Sequence, residues 1–304
     1  MSGVASAAPL FFLSRGRPSD SDSLLMHPAS RTLTAFVFAA LGAVSLPKAS
    51  AGQLPALGGP IQESDMLYLA GEPELSLDVV KEQLERDSTD YDALWRASRA
   101  AVVIGIELEN NREQNLWLDP ALDWARRAVA LDSTGIDGRY WRGVAAGRRA
   151  MNAAPGYAVE LAQIVYDDAH AILEADSLHG GAHNMLGKLN YEIMMLSRIK
   201  RAIARTFMGN DALSDTSWEN AEYHLARAEE TWPDFVLFHF DLAQLHRKRG
   251  PREAAIEEYR HTLTRPAIHP VDRGLQVQAR EQLADWDVAV DSVAVRPAGS
   301  STDR

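Results

Sequence analysis

The same short break interrupts the helical pattern of this 304-residue chain several times. Asp87-Ser88-Thr89, Asp132-Ser133-Thr134 and Asp176-Ser177-Leu178 each end an apolar helical stretch, and Trp232-Pro233-Asp234 stands in the corresponding place further on. A recurring break implies a recurring unit, and a unit too small to bury its own apolar face must stack on its neighbours. Take Ser88, Ser133, Ser177 and Pro233 as marks: ten positions on stand Ser98, Gly143, Gly187 and Ala243, small each time. Small side chains there let two helices approach closely. Twelve positions before the marks stand Ser76, Ala121, Val165 and Ala221, and five before stand Gln83, Ala128, Ile172 and Ala228, so with the exception of Gln83 one face stays small or apolar.

The clearest unit runs from Trp218 to Leu263. Ala221, Leu225 and Ala228 share one helical face before Pro233 stops the helix. Phe238, Leu242, Ala243 and Leu245 form the next face, Gly250-Pro251 makes a turn, and Ala255, Ile256, Tyr259 and Leu263 carry the returning helix. Upstream, Leu77, Val80 and Leu84 repeat the pattern, and strand-like alternation of useful length is absent from the sequence. These helical hairpins resemble the tetratricopeptide (TPR) motif. The fold expected is all-α: TPR-like antiparallel helix hairpins stacked in a right-handed solenoid.

The marks lie 45, 44 and 56 residues apart, whereas a TPR unit repeats about every 34. Extra residues are therefore expected at Glu107 to Asp119, at Met151 to Val159 and at Leu196 to Ser217, each between the two helices of one hairpin. A last helix over 271–287, with Leu275, Ala279, Leu283 and Trp286 on one face, would cap the array. The expected domains are a leader and signal peptide over 1–51, a Gly/Pro-rich linker over 52–62, the repeat domain over 63–287 and a disordered tail over 288–304.

The leader follows if translation starts at Met26. Arg31 gives a positive charge, Leu33 to Leu46 is apolar, and Ala49-Ser50-Ala51 offers small residues for cleavage. The run of about 14 residues is short for a bilayer core of about 30 Å. An exported chain, periplasmic or extracellular, is expected, and a cytoplasmic one if the leader is not a signal. The formal charge of −11 argues against nucleic acid as a partner, and a chain without cysteine has no disulfide, thiolate ligand or cysteine nucleophile.

The order of several motifs resembles the regulator of microtubule dynamics family, a set of TPR-like proteins. The residues are Leu186-Gly187, Tyr191-Glu192, Leu196-Ser197, the basic pair Lys200-Arg201 and Phe207, then Glu219-Asn220-Ala221 and Ala228-Glu229-Glu230. The resemblance spans about residues 64 to 287 and is strongest from 183 onward. It implies association with microtubules and, in some members, organelle contacts and phospholipid binding. It carries over no catalytic residues. Export would place the chain away from tubulin, so the resemblance bears on fold more than on partner.

Chemistry is sparse. His179 with His183, or His239 with His246, could share a helical face, but no His-Glu-x-x-His or comparable acidic cluster accompanies them, so no metal site and no cofactor are expected. The sequence also lacks a nucleophile elbow and a phosphate-cradling loop, and the adjacent pairs Asp167-Asp168 and Glu229-Glu230 point to different helix faces. A non-enzymatic scaffold is expected.

The first helix of each hairpin should line a concave face. The register puts Trp95, Tyr140 and Asn184 seven positions past their marks, Arg99 and Lys188 eleven past, and Arg148, Tyr191 and Arg247 fourteen or fifteen past. Bases and aromatics gathered on one face of an acidic protein suggest a groove for an anionic peptide or lipid head group. The competing reading makes the aromatics inter-helix core and pairs the bases with Glu neighbours. A second candidate is the segment with Arg198, Lys200, Arg201 and Arg205, whose bases alternate with Ile199, Ile203 and Phe207 as in a helix touching an anionic membrane. Its competing reading packs the apolar residues inward. The function expected is a scaffold for a protein or peptide, with phospholipid binding or transfer as the alternative.

Overall fold

The turns explain why the chain breaks where it does. The computed structural model describes residues 58–197 and 216–288, which fall within one compact unit. The Asp87 carboxylate accepts from the Thr89 amide at 2.9 Å and the Thr89 hydroxyl at 2.7 Å, and Asp132 holds Thr134 at the same distances. Asp176 accepts from the Leu178 amide at 3.0 Å. A short acidic side chain bonded two residues ahead gives the backbone a turn in place of the next helical bond. The following helix then starts at once: Asp90 accepts from the Ala93 amide and His179 Nδ1 from the Ala182 amide, both at 3.0 Å.

Eleven helices occupy the described residues, with no strand among them. They are α1 (Pro60–Leu69), α2 (Pro73–Arg86), α3 (Tyr91–Glu107), α4 (Asn111–Leu131), α5 (Ile136–Ala150), α6 (Pro155–Ala175), α7 (Gly180–Met195), α8 (Trp218–Thr231), α9 (Val236–Arg249), α10 (Arg252–Thr264) and α11 (Asp272–Ala284). α1 begins inside the stretch read as linker, because Pro60 has its φ preset for a first helical turn and no amide to satisfy there. Gly71, at φ 82°, closes α1: its amide reaches the Tyr68 carbonyl and the Glu72 amide the Leu67 carbonyl. A side chain at that backbone angle would be strained, so glycine is required.

Each helix packs on its successor, and α3/α4, α5/α6, α7/α8 and α9/α10 form the hairpins. The first helices also touch one another, α3 with α5, α5 with α7 and α7 with α9, making an inner layer. The long spacing between marks is met by helix more than by loop. α4 and α6 each run 21 residues, while the connectors before them span only 108–110 and 151–154. The two expected insertions upstream are thus largely extra helical turns, which keep their backbone hydrogen bonds internal where a loop would need other partners. Of the third, 198–215 lies outside the described residues.

Alanine dominates the upstream core. Ala93, Ala97, Ala100 and Ala101 of α3 meet Ala121 of α4 and Ala145 and Ala146 of α5, with Leu118, Leu122, Val165 and Ile172 filling between them. At the register position of closest approach, a Cβ on Gly187 would lie 2.6 Å from Leu225 Cγ and 2.9 Å from the Leu225 amide nitrogen. α11 covers the last hairpin with Leu275, Ala279 and Leu283, and Trp286, just beyond its end, packs edge-on against Tyr259. No helix among the described residues is long and apolar enough to cross a membrane. The apolar run Leu33 to Leu46 and the tail from residue 289 lie outside them.

Candidate functional site

The inner layer encloses a cavity of about 280 Å³. α3 contributes Trp95, Arg99, Val102 and Val103, α5 contributes Tyr140, Val144 and Arg148, and α7 contributes Asn184 and Met185. Five of the residues singled out by the register, Trp95, Arg99, Tyr140, Arg148 and Asn184, therefore share one cavity. Helical residues such as Ile106, Trp141 and Val165 add to the wall, and part of it comes from places that helical periodicity does not reach: Tyr68 at the end of α1, His179 in the turn before α7, Trp232 and Phe235 in the turn before α9, and His269 in the loop before α11. These rings touch in series, with centroids 5.5 Å apart for Tyr140 and His179, 4.7 Å for His179 and Trp232, 4.6 Å for Phe235 and His269, and 6.4 Å for His269 and Tyr68. The array curves so far that its first helix meets the loop before its last.

The cavity's charges are compensated from within the chain. Arg99 lies 4.0 Å over the Tyr68 ring and bonds to Asp65 at 2.6 Å, while Arg96 grips the same carboxylate at 2.8 Å. Burial raises the Asp65 pKa, but the two arginines outweigh it and hold the carboxyl below its ordinary value. Burial lowers the Arg148 guanidinium, and Asp241, Tyr140 and Glu192 raise it part of the way back. Burial pushes the Tyr140 hydroxyl up to about 12. Asp272, the first residue of α11, accepts from the amides of Ile268 and His269 in the loop before it and is also raised by burial. The result is an apolar chamber with a few fixed polar groups, the usual character of a ligand site.

Three expected groove residues are elsewhere. Lys188 is 1% exposed and pairs with Asp241 of α9 at 3.0 Å and Glu192 at 3.8 Å. Asn184 donates to the other Asp241 oxygen at 2.9 Å, which ties this chamber residue to the Lys188 pair. Tyr191 packs in a second core against Trp218, Leu225 and Leu245. Arg247 lies at a shallow cleft of about 440 Å³ with Gly250, Arg252 and Trp286 at the end of the array. For Arg99 and Lys188 the competing reading, in which the bases pair with acids of the same chain, describes what the structure contains, although the principal partners are aspartates. Arg198, Lys200, Arg201 and Arg205 lie outside the described residues.

No convergent set of metal ligands was expected, yet Glu229 of α8, His239 of α9 and Glu258 and His261 of α10 place one donor atom each within 4.8 Å of one another. Scanning single helices for paired histidines could not find a set drawn from three helices, and Glu258-x-x-His261 was its one local signal.

The family model described as Regulator of microtubule dynamics protein 1-3 matches residues 60–287. No curated protein matches the sequence. Among solved structures, the thermophilic TPR protein TTC0263 of Thermus thermophilus is similar at 17% identity and TM-score 0.52, over 74% of this chain and 97% of that one. YrrB, described as a TPR protein with an unusual peptide-binding site, is similar at 16% identity and TM-score 0.37, over 73% of this chain and 90% of its own. The likeness to the Thermus protein bears on fold alone, and there it agrees with the stacked hairpins.

Proposed function

Because the chain belongs to the regulator of microtubule dynamics family, matched over residues 60–287, and is a TPR-like helical repeat protein, we propose that it is a non-enzymatic scaffold for a protein or peptide partner. The observation that carries this reading is the chamber itself, where the first helices α3, α5 and α7 turn Trp95, Tyr140, Arg148 and Asn184 toward one space. At about 280 Å³ it suits one large apolar side chain of a bound segment. Asn184 and Arg148 are polar members of the wall beside that anchor. A buried anchor in a desolvated pocket supplies most of the affinity of such an interface. Both acyl chains of a phospholipid need far more room, so a peptide is favoured over the lipid alternative.

The test uses a peptide selected from a displayed random library against the purified full chain. Val144→Trp should fill the chamber and weaken binding of that peptide by at least about tenfold, since a single well-packed anchor contributes about 2 kcal/mol or more. Equal affinity in the native chain and the Val144→Trp variant, with helical content unchanged, would exclude the chamber as the site. Co-sedimentation with phosphatidylserine-containing vesicles, in the absence of any peptide that binds, would favour the phospholipid reading.

A further inference from the structure

Apart from the chamber, the three helices α8, α9 and α10 bring together four side chains whose arrangement needs a positive charge at its centre. His239 is fully buried, and its Nε2 lies 2.7 Å from the Pro233 carbonyl. A contact that short assigns the proton to Nε2, with the ring donating to the carbonyl. Arg265 Nε, 3.1 Å from the same nitrogen, is then a neighbouring charge and not its hydrogen-bond donor. Nδ1 is left facing Glu258 Oε2 at 3.1 Å and Glu229 Oε1 at 3.4 Å. A nitrogen lone pair set against two carboxylate oxygens is repulsive unless something positive lies between them.

A proton on Nδ1 would satisfy one of those contacts. It would do nothing for His261, whose Nδ1 is buried without a hydrogen-bond partner and points at the same Glu258 oxygen from 3.5 Å. A divalent ion would serve all four groups. Bonds of about 2.0–2.1 Å in a tetrahedral zinc site set neighbouring ligand atoms about 3.3–3.4 Å apart. Three of the six separations, 3.1, 3.4 and 3.5 Å, lie close to that edge length, and all four donor atoms lie within 4.8 Å of one another. The Pro233 carbonyl on the far ring nitrogen is also the outer contact that orients a metal-bound histidine.

We propose that Glu229, His239, Glu258 and His261 bind one divalent transition-metal ion of zinc's size, tying α8, α9 and α10 together. Two imidazoles disfavour calcium and magnesium, which take oxygen ligands. Four protein ligands close the coordination shell, so the site is structural and carries no reaction. Glu229 and His261, with side chains 25% and 37% exposed, provide the way in from solvent.

The test is titration of the purified, chelator-treated full chain with zinc chloride and, separately, cobalt chloride. One zinc per chain is expected, with the strong visible absorption of four-coordinate cobalt. Glu229→Gln and His261→Gln, at the partly exposed positions, should each weaken zinc binding by at least about tenfold, the scale at which even outer-shell losses act. Zinc should raise the melting temperature of the native chain and not that of the double variant, a readout independent of the absolute stability of either. His224→Gln, which alters the separate pair in which His224 lies 2.9 Å from His183, should leave binding unchanged. Failure of the native chain to bind zinc, or unchanged affinity in the Glu229→Gln/His261→Gln double variant, overturns the proposal.

Discussion

The hairpins α3/α4 and α5/α6 and the hairpins α7/α8 and α9/α10 follow one register and fill it in opposite ways. Upstream, the interface between first helices is alanine and valine, and it leaves the chamber open beside Trp95 and Tyr140. Downstream, the corresponding space between α7 and α9 holds Lys188 paired with Asp241, both 1% exposed, with Asn184 bonded to the same carboxylate. The same backbone geometry thus makes a cavity in one place and a buried ion pair in the next. Which of the two results depends on whether the facing helix supplies a partner at that height.

The largest expected effect lies downstream. Asp241→Ala leaves Lys188 buried without its main counter-charge and should destabilise the chain by about 3–5 kcal/mol, measured by urea unfolding. A loss below about 1 kcal/mol, the range of an exposed pair, would mean that the ion pair is not what fills that space. The two regions can then be compared at one register position. Gly187→Ala drives a methyl against the Leu225 backbone nitrogen and should cost about 1–3 kcal/mol. Gly143→Ala clashes with the flexible end of Met185, which lines the chamber and can swing aside, and otherwise makes ordinary contact with Asp168 Cβ at 3.7 Å. There the gain of about 1 kcal/mol from alanine in a helix should leave stability close to native. Equal losses at both positions would erase the distinction between a filled and a hollow interface.

A smaller effect concerns pH. Burial, with His183 and His170 nearby, holds the His224 ring down to about 4, against an ordinary value near 6.5 when unfolded. Between these values the unfolded chain takes up a proton that the folded one refuses. The contribution is therefore complete above about pH 6.5 and is lost as pH falls toward about 4. His239 runs the other way: burial lowers it, but Glu258, the Pro233 carbonyl and Glu229 outweigh this and raise it, favouring the fold at low pH. The urea midpoint should drop on acidification through this window, and His224→Gln should flatten the drop. An unchanged slope in that variant would separate His224 from the effect.

Hairpins, register and the upstream half of the chamber were legible because they depend on local rules. An aspartate bonding two residues ahead and a small residue ten beyond each mark are both written in consecutive sequence. Trp95, Arg99, Tyr140, Arg148 and Asn184 followed from that register. Lys188 was misplaced because its partner Asp241 lies on the next hairpin, 53 residues on, and periodicity does not record which charges will meet. Tyr68, Trp232, Phe235 and His269 were missed because the curvature of the whole array brings them to the chamber. The Glu229, His239, Glu258 and His261 cluster escaped for the same reason, drawn as it is from three helices.

The most direct test of the chamber as the binding site is the methyl resonance of Met185, one of eight methionines in the chain and part of the chamber wall. During titration with the selected peptide, the Met185 signal should shift and saturate at one peptide per chain, while Met66, 65% exposed on α1, should not move. Saturable binding of that peptide with the Met185 resonance unmoved would contradict the account.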